Sequence, residues 1–309
     1  MGKTGGFRRG RNLAFLAGLA CLTSTGLSQA QEPRRTEESF IPSYSAASAQ
    51  YLWGSRTDLK DFAGASMAQQ EAGALAQYPL YRTDRARLTA GVRYRWTQLD
   101  FDGSSPIAQG TLDLHRLQIP FNYWRSLGEQ WRLWAGVEPG LFTDFNALSD
   151  EDFTVSALAV VAYEWRPEWS VSFGAYYSRD LGEDRVLPVL GLIWRPNPHW
   201  NLAATFPRFR VAYAPNEQWV FDVSVRPGGS GWNLRTDSGE DLNLEYKSWR
   251  AGAGVERLLA TSFPGKLSAF VEVGVGFAQD LKLKDGSDER FASNLDETLI
   301  LSGGLRLRF

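Results

Sequence analysis

Leu299-Ile300-Leu301-Ser302-Gly303-Gly304-Leu305-Arg306-Leu307-Arg308-Phe309 closes the chain, and read as a strand it has two unlike faces. Side chains alternate from side to side along a β-strand. Leu299, Leu301, Leu305, Leu307 and Phe309 therefore share one face, and Ser302, Gly304, Arg306 and Arg308 the other, with Ile300 as the one exception. A sheet in water could use this strand with its leucines on a core and its arginines in solvent. A barrel wall could use it with its leucines in lipid. The rest of the chain has to choose between them.

Residues 1–30 carry a basic front (Lys3, Arg8, Arg9, Arg11), an apolar run from Leu13 to about Leu22, and small residues Ser28 and Ala30 before Gln31. This is the pattern of a secretory signal peptide, and the apolar run is shorter than the roughly 20 residues a membrane helix needs. Residues 31–43 then read as a polar periplasmic lead-in, and 44–309 as the folded part. Cys21, the only cysteine, lies in the leader. Lipidation there is the lesser alternative, because Gly18 stands where a lipoprotein signal has leucine. A mature chain without cysteine excludes disulfides, thiol catalysis and thiolate metal sites. Removing the leader takes four of the 33 basic residues and leaves 29 against 35 acidic ones, a formal charge of about −6. That balance, with no basic block and no phosphate-binding glycine run, speaks against a nucleic-acid partner. No cofactor is expected.

From Leu88 onward a period-two pattern recurs, and two kinds of turn alternate between its segments. One kind is tight and bracketed by aromatics, as in Trp124 to Trp131, Trp165 to Trp169, Trp194 to Trp200 and Tyr213 to Trp219. The other is longer and acidic or glycine-rich: Gly103 to Gly110, Asn146 to Asp152, Pro227 to Asn243 and Lys284 to Glu297. Short turns at one end, long loops at the other and aromatic residues where strands leave the apolar zone describe a transmembrane barrel. In a water-soluble β-sandwich, tryptophans would scatter along the strands as core; many of these cluster at strand ends. The expected architecture is all-β, an antiparallel up-and-down transmembrane β-barrel of about 14 strands. Twelve is the alternative if the two weakest segments, Tyr44 to Gly54 and Ala63 to Leu80, are dropped. Trp200 to Phe206 and Arg208 to Tyr213 form a short hairpin turning at Pro207. Pro120, Pro139 and Pro188 fall inside strands, where bulges or shortening are expected.

Strand parity also assigns an interior. The lumen-lining charges are Arg93, Arg95, Arg116, Arg132, Arg208, Arg210, Arg250, Arg306 and Arg308, with Glu138, Glu164, Asp222, Glu256 and Glu272. Nine cations against five anions would favour anionic solutes in a pore. The same arginines could instead pair with these carboxylates and fill a closed interior. His115, in a leucine-rich strand, and His199, in a turn, accompany no Gly-x-Ser-x-Gly signature and read as wall or surface residues. No catalytic residue and no metal site is expected, Asp150 to Asp152 reading as a solvated acidic loop in preference to a loose calcium site.

The terminal aromatic resembles the ending of bacterial outer-membrane β-barrels. That resemblance implies that Leu305, Leu307 and Phe309 form an assembly signal, with outer-membrane lipid and the barrel-insertion machinery as partners. Gly191-Leu-Ile-Trp-Arg-Pro-Asn-Pro-His-Trp200, through Phe206-Pro207, Tyr213 and Trp219, resembles an uncharacterised family of outer-membrane β-barrels, a domain of unknown function. More distantly it is similar to transporter barrels of aromatic-compound degradation. The resemblance implies fold and location and supplies no functional residue. The expected function is a passive channel or uptake barrel for small solutes, with a closed structural or partner-binding barrel acting through its outer loops as the alternative.

Overall fold

The computed structural model describes residues 46–103, 110–146, 148–235, 240–263 and 265–308. The leader, the lead-in and Phe309 lie outside the described residues. The first half of the chain forms β1 (Ala47–Asp58), β2 (Ser66–Arg82), β3 (Ala86–Asp102), β4 (Gly110–Gln118), β5 (Phe121–Ser126), β6 (Trp131–Thr143), β7 (Phe153–Arg166) and β8 (Trp169–Leu181). The second half forms β9 (Glu183–Trp194), β10 (Trp200–Thr205), β11 (Arg208–Asn216), β12 (Trp219–Arg235), β13 (Asp241–Phe263), β14 (Gly265–Asp285), β15 (Asp288–Leu295) and β16 (Thr298–Arg308). One short 3-10 turn, Asp150–Asp152, is the only helical element among the described residues.

Wall neighbours pair antiparallel, and β16 lies between β14 and β1, which closes the ring. Sixteen strands fill fourteen positions, because β4 and β5 share one and β15 and β16 share another, Leu295 facing Gln279 and Thr298 facing Gly276 on β14 in one unbroken register. This is the up-and-down barrel of fourteen staves expected from the sequence, with both weak N-terminal segments present as β1 and β2. Closure removes the free edges that an open sheet would expose.

Pro120 explains the shared position. Gln118 faces Gly140 and Phe121 faces Val137 on β6, three steps along each strand, so the register passes through unchanged. Only the ladder lapses, since proline has no N–H to give. Pro139 and Pro188 depart from expectation, for they sit opposite Val155 and Ala175 with no register shift beside them. One missing donor does not break a ladder clamped by a neighbour on each side. The cis Phe206–Pro207 peptide joins β10 to β11 as the expected short hairpin.

Two stretches expected as long loops are strand instead. Pro227 to Arg235 continues β12, Asp241 to Asn243 opens β13, and β15 occupies most of Lys284 to Glu297. Their turn-like glycines and charges concealed an apolar alternation: Trp232, Leu234, Leu242, Phe291 and Leu295 are all buried.

The outer wall follows the predicted parity. Val271, Val273, Val275, Leu299, Leu301 and Leu305 are exposed, while Ile300 and Phe270, the two residues out of pattern, are buried inside. Outward rings line the end that carries the tight turns. Trp131 packs on Tyr163 at 4.7 Å, Trp169 on Trp194 at 5.3 Å and Trp200 on Tyr213 at 4.6 Å. Trp124 differs from expectation by turning inward, where it stacks with Trp134 and Trp134 donates to the buried Asn122. An outer surface this apolar is solvated by lipid. Val273→Arg, midway along β14, is therefore expected to cost ~2–4 kcal/mol, read from urea unfolding in lipid vesicles against Val273→Ala. An unchanged midpoint would mean that this wall does not face lipid.

Candidate functional site

The interior is the candidate site, and a hairpin of the wall itself closes its loop end. Residues 228–234 of β12 are buried without alternation. A wall strand buries its inner face only, so this segment has left the wall and lies within the barrel. Three contacts hold it there. Asn233 bridges Thr143 of β6 in parallel, its amide Nδ2 donates to Ser149 Oγ at 3.0 Å, and Gly231 lies so close to the turn after β8 that a Cβ would sit 2.0 Å from the Gly182 carbonyl oxygen. Glycine is required there because nothing larger fits.

Around the hairpin an apolar cluster fills the loop end. Trp232, Leu234, Leu242, Leu244 and Tyr246 come from the hairpin, Leu99, Phe101, Leu114 and Phe142 from the facing wall, and Leu281, Phe291 and Leu295 from β14 and β15. The buried alternation on β3 and β13 thus changes character along one inward face, apolar at the loop end and charged in the middle.

The charged middle encloses a cavity of about 440 Å³. Seven arginines line it, from β3 (Arg95), β11 (Arg208, Arg210), β12 (Arg226), β13 (Arg250) and β16 (Arg306, Arg308). Four carboxylates line it with them: Glu71, Asp180, Asp222 and Glu272. Seven against four leaves three positive charges in the lining.

Pairing is extensive. Arg250 Nη2 donates to Glu71 Oε1 at 2.6 Å across the barrel from β13 to β2, with side chains 8% and 5% exposed. Arg210 pairs with Asp222 at 3.2 Å, and Arg226 with Glu272 at 2.7 Å. Asp180 accepts from Arg116 at 3.1 Å and from the Tyr176 hydroxyl at 2.7 Å. Glu256 lies behind the lining, held by Arg306 at 2.7 Å, by Arg308 and by the Ser268 hydroxyl. The Arg306 guanidinium also lies 3.8 Å over the Phe270 ring, which accounts for an aromatic at an inward position.

Of the charges chosen from the sequence, Arg95, Arg208, Arg210, Arg250, Arg306, Arg308, Asp222 and Glu272 line this cavity. Arg116 and Glu256 back it through their ion pairs. Arg93 with Glu138, and Arg132 with Glu164 at 3.4 Å, form separate pairs outside the lining. Glu71, Asp180 and Arg226 were missed. Glu71 sits in the alanine-rich segment whose alternation is weakest, and Arg226 stood last before what read as a loop.

Chemistry elsewhere is sparse. His115 Nδ1 meets the Tyr94 hydroxyl at 2.8 Å, and His199 Nδ1 meets the Ala214 carbonyl at 2.7 Å. The acidic run is no solvated loop throughout, because Asp152 is buried and its Oδ2 accepts from the Ser149 N–H at 2.7 Å. Among the described residues no cluster of metal-ligating side chains occurs.

A family model described as a domain of unknown function (DUF6268) matches residues 46–307. No curated protein sequence matches. Among solved structures, the COG4313 outer membrane channel from Pseudomonas putida F1 aligns over 89% of this chain and all of its own, at 12% identity and a TM-score of 0.50. The toluene transporter TbuX from Ralstonia pickettii aligns over 86% of this chain and 90% of its own, at 10% identity and a TM-score of 0.32.

Proposed function

The chain belongs to the DUF6268 family, whose description assigns no activity, and from its own interior we propose that it is an outer-membrane channel or uptake barrel for small anionic solutes. The carrying observation is the cavity lining, seven arginines against four carboxylates inside a lipid-facing wall. A lining with a net positive charge focuses the field within a narrow lumen and raises the local concentration of anions. The secretory leader, the apolar outer band and the aromatic girdle support outer-membrane location, with lipid and the insertion machinery as partners and Leu305, Leu307 and Phe309 as the assembly signal.

The test is single-channel recording of the refolded protein in a planar bilayer under a salt gradient. The expected result is a reversal potential of anion-selective sign, which shifts toward zero in Arg208→Gln and Arg210→Gln. The apolar cluster across the loop end favours a second reading, a closed barrel acting through its outer face. Silence from folded, inserted protein, both intact and with its in-folded hairpin shortened, would leave that second reading in place.

A further inference from the structure

We infer that the central cavity holds a saturable site for a small oxyanion, a carboxylate or a phosphate, bound between Arg95 and Arg208. The inference rests on the channel reading for what the site is used for, and on the pairing of charges for its existence. Each carboxylate of the lining already has its cation: Glu71 takes both terminal nitrogens of Arg250 at 3.3 and 2.6 Å, Asp222 takes Arg210, and Glu272 takes Arg226. Asp180 has one oxygen on Arg116 and the other on the Tyr176 hydroxyl. Arg306 and Arg308 share Glu256. Two guanidinium groups remain.

Arg95 makes no hydrogen bond or salt bridge with any described residue, although Glu71 and Asp180 lie within electrostatic range. Arg208 is 67% exposed and reaches only 3.9 Å from Asp180, whose oxygens are both taken. Two of the three excess charges of the lining thus stand on these side chains, the third being carried where Arg306 and Arg308 share one carboxylate. They stand on β3 and β11, seven places apart in the ring of fourteen and so on opposite walls, and both act on Asp180.

The Arg95 guanidinium, enclosed in the chamber, loses hydration that an unoccupied site does not replace. An oxyanion restores it, accepting two parallel N–H bonds from each planar fork. A cavity of about 440 Å³ suits a small molecule and excludes a polymer. Carboxylate and phosphate share the required chemistry, and the choice between them is left to the probe.

Isothermal titration of the detergent-folded full protein with inorganic phosphate, and separately with succinate, tests this. Saturable binding of either is expected, weakened about tenfold (~1.4 kcal/mol) by Arg95→Gln and by Arg208→Gln and unchanged by Arg56→Gln, whose ion pair with Asp100 lies outside the cavity. Each variant is first shown to be folded by its heat-dependent gel mobility. Binding of phosphate alone or succinate alone supports the site and names its source. No saturable heat from either anion, or equal weakening in Arg56→Gln, overturns it. Titration needs no current, so a protein that binds but never conducts defeats the channel reading and leaves the site standing. Anion-selective current without saturable binding does the reverse.

Discussion

Shortening the in-folded hairpin by joining Gly228 to Ser248 through a short Gly-Ser turn is expected to raise single-channel conductance severalfold. Gly228 and Ser248 are paired across β12 and β13, so the cut removes the segment above them without changing register below. It takes away Trp232, Leu234, Leu242, Leu244 and Tyr246, the hairpin's whole share of the loop-end cluster. Leu99, Phe101, Leu114 and Phe142 would then face water, which they tolerate as wall residues because the ladder below them is intact. Gly231→Val is the milder form of the same experiment. Its branched side chain collides with the Gly182 carbonyl, cannot be accommodated by a rotamer change, and should displace the hairpin enough to raise conductance and open it to added protease. Unaltered current in the shortened, folded barrel would show that the hairpin does not limit passage.

Glu71→Ala is expected to destabilise the barrel by ~3–5 kcal/mol, because breaking a buried pair from one side strands the other charge. The stranded group is Arg250, 8% exposed and held to β2 by Glu71 alone among its direct hydrogen-bond partners. Glu71 also offsets Arg95 nearby, so its loss leaves two cations facing each other. The double substitution Glu71→Leu with Arg250→Met should recover most of the loss, since a buried ion pair exchanged for apolar side chains of similar volume is often neutral or better. Urea unfolding of the vesicle-reconstituted protein reads both. A Glu71→Ala barrel as stable as the parent would mean that water reaches Arg250 freely.

Much of the wall was legible in residues taken two at a time. The alternation of Val271, Val273 and Val275 against Glu272 and Gly274, and of Leu301, Leu305 and Leu307 against Arg306 and Arg308, told inside from outside because only one side of a barrel strand touches lipid. Phe206-Pro207 marked a hairpin and the tryptophan-bracketed turns marked one rim, since proline and asparagine impose turn geometry locally. The in-folded hairpin was hidden for the same local reason. Gly228-Gly229-Ser230-Gly231 reads as loop in isolation, and only tertiary neighbours explain its glycines: a Cβ would meet the Arg250 and Ser248 side chains at 228, the Tyr246 carbonyl oxygen at 229 and the Gly182 carbonyl oxygen at 231. Trp124 went astray likewise, its inward turn being set by partners on β6 and not by its neighbours in the chain.

Alternation, turn chemistry and the placement of aromatics are properties of neighbouring residues, and they suffice to specify the barrel, its parity and most of its inward arginines. Which arginine meets which acid was decided by the tertiary structure alone. Glu71 and Arg250 are 179 residues apart, and no local rule links them. Only closure of the ring brings β2 and β13 across one cavity, turns an excess of cations into specific pairs, and leaves Arg95 and Arg208 facing the lumen without a carboxylate of their own.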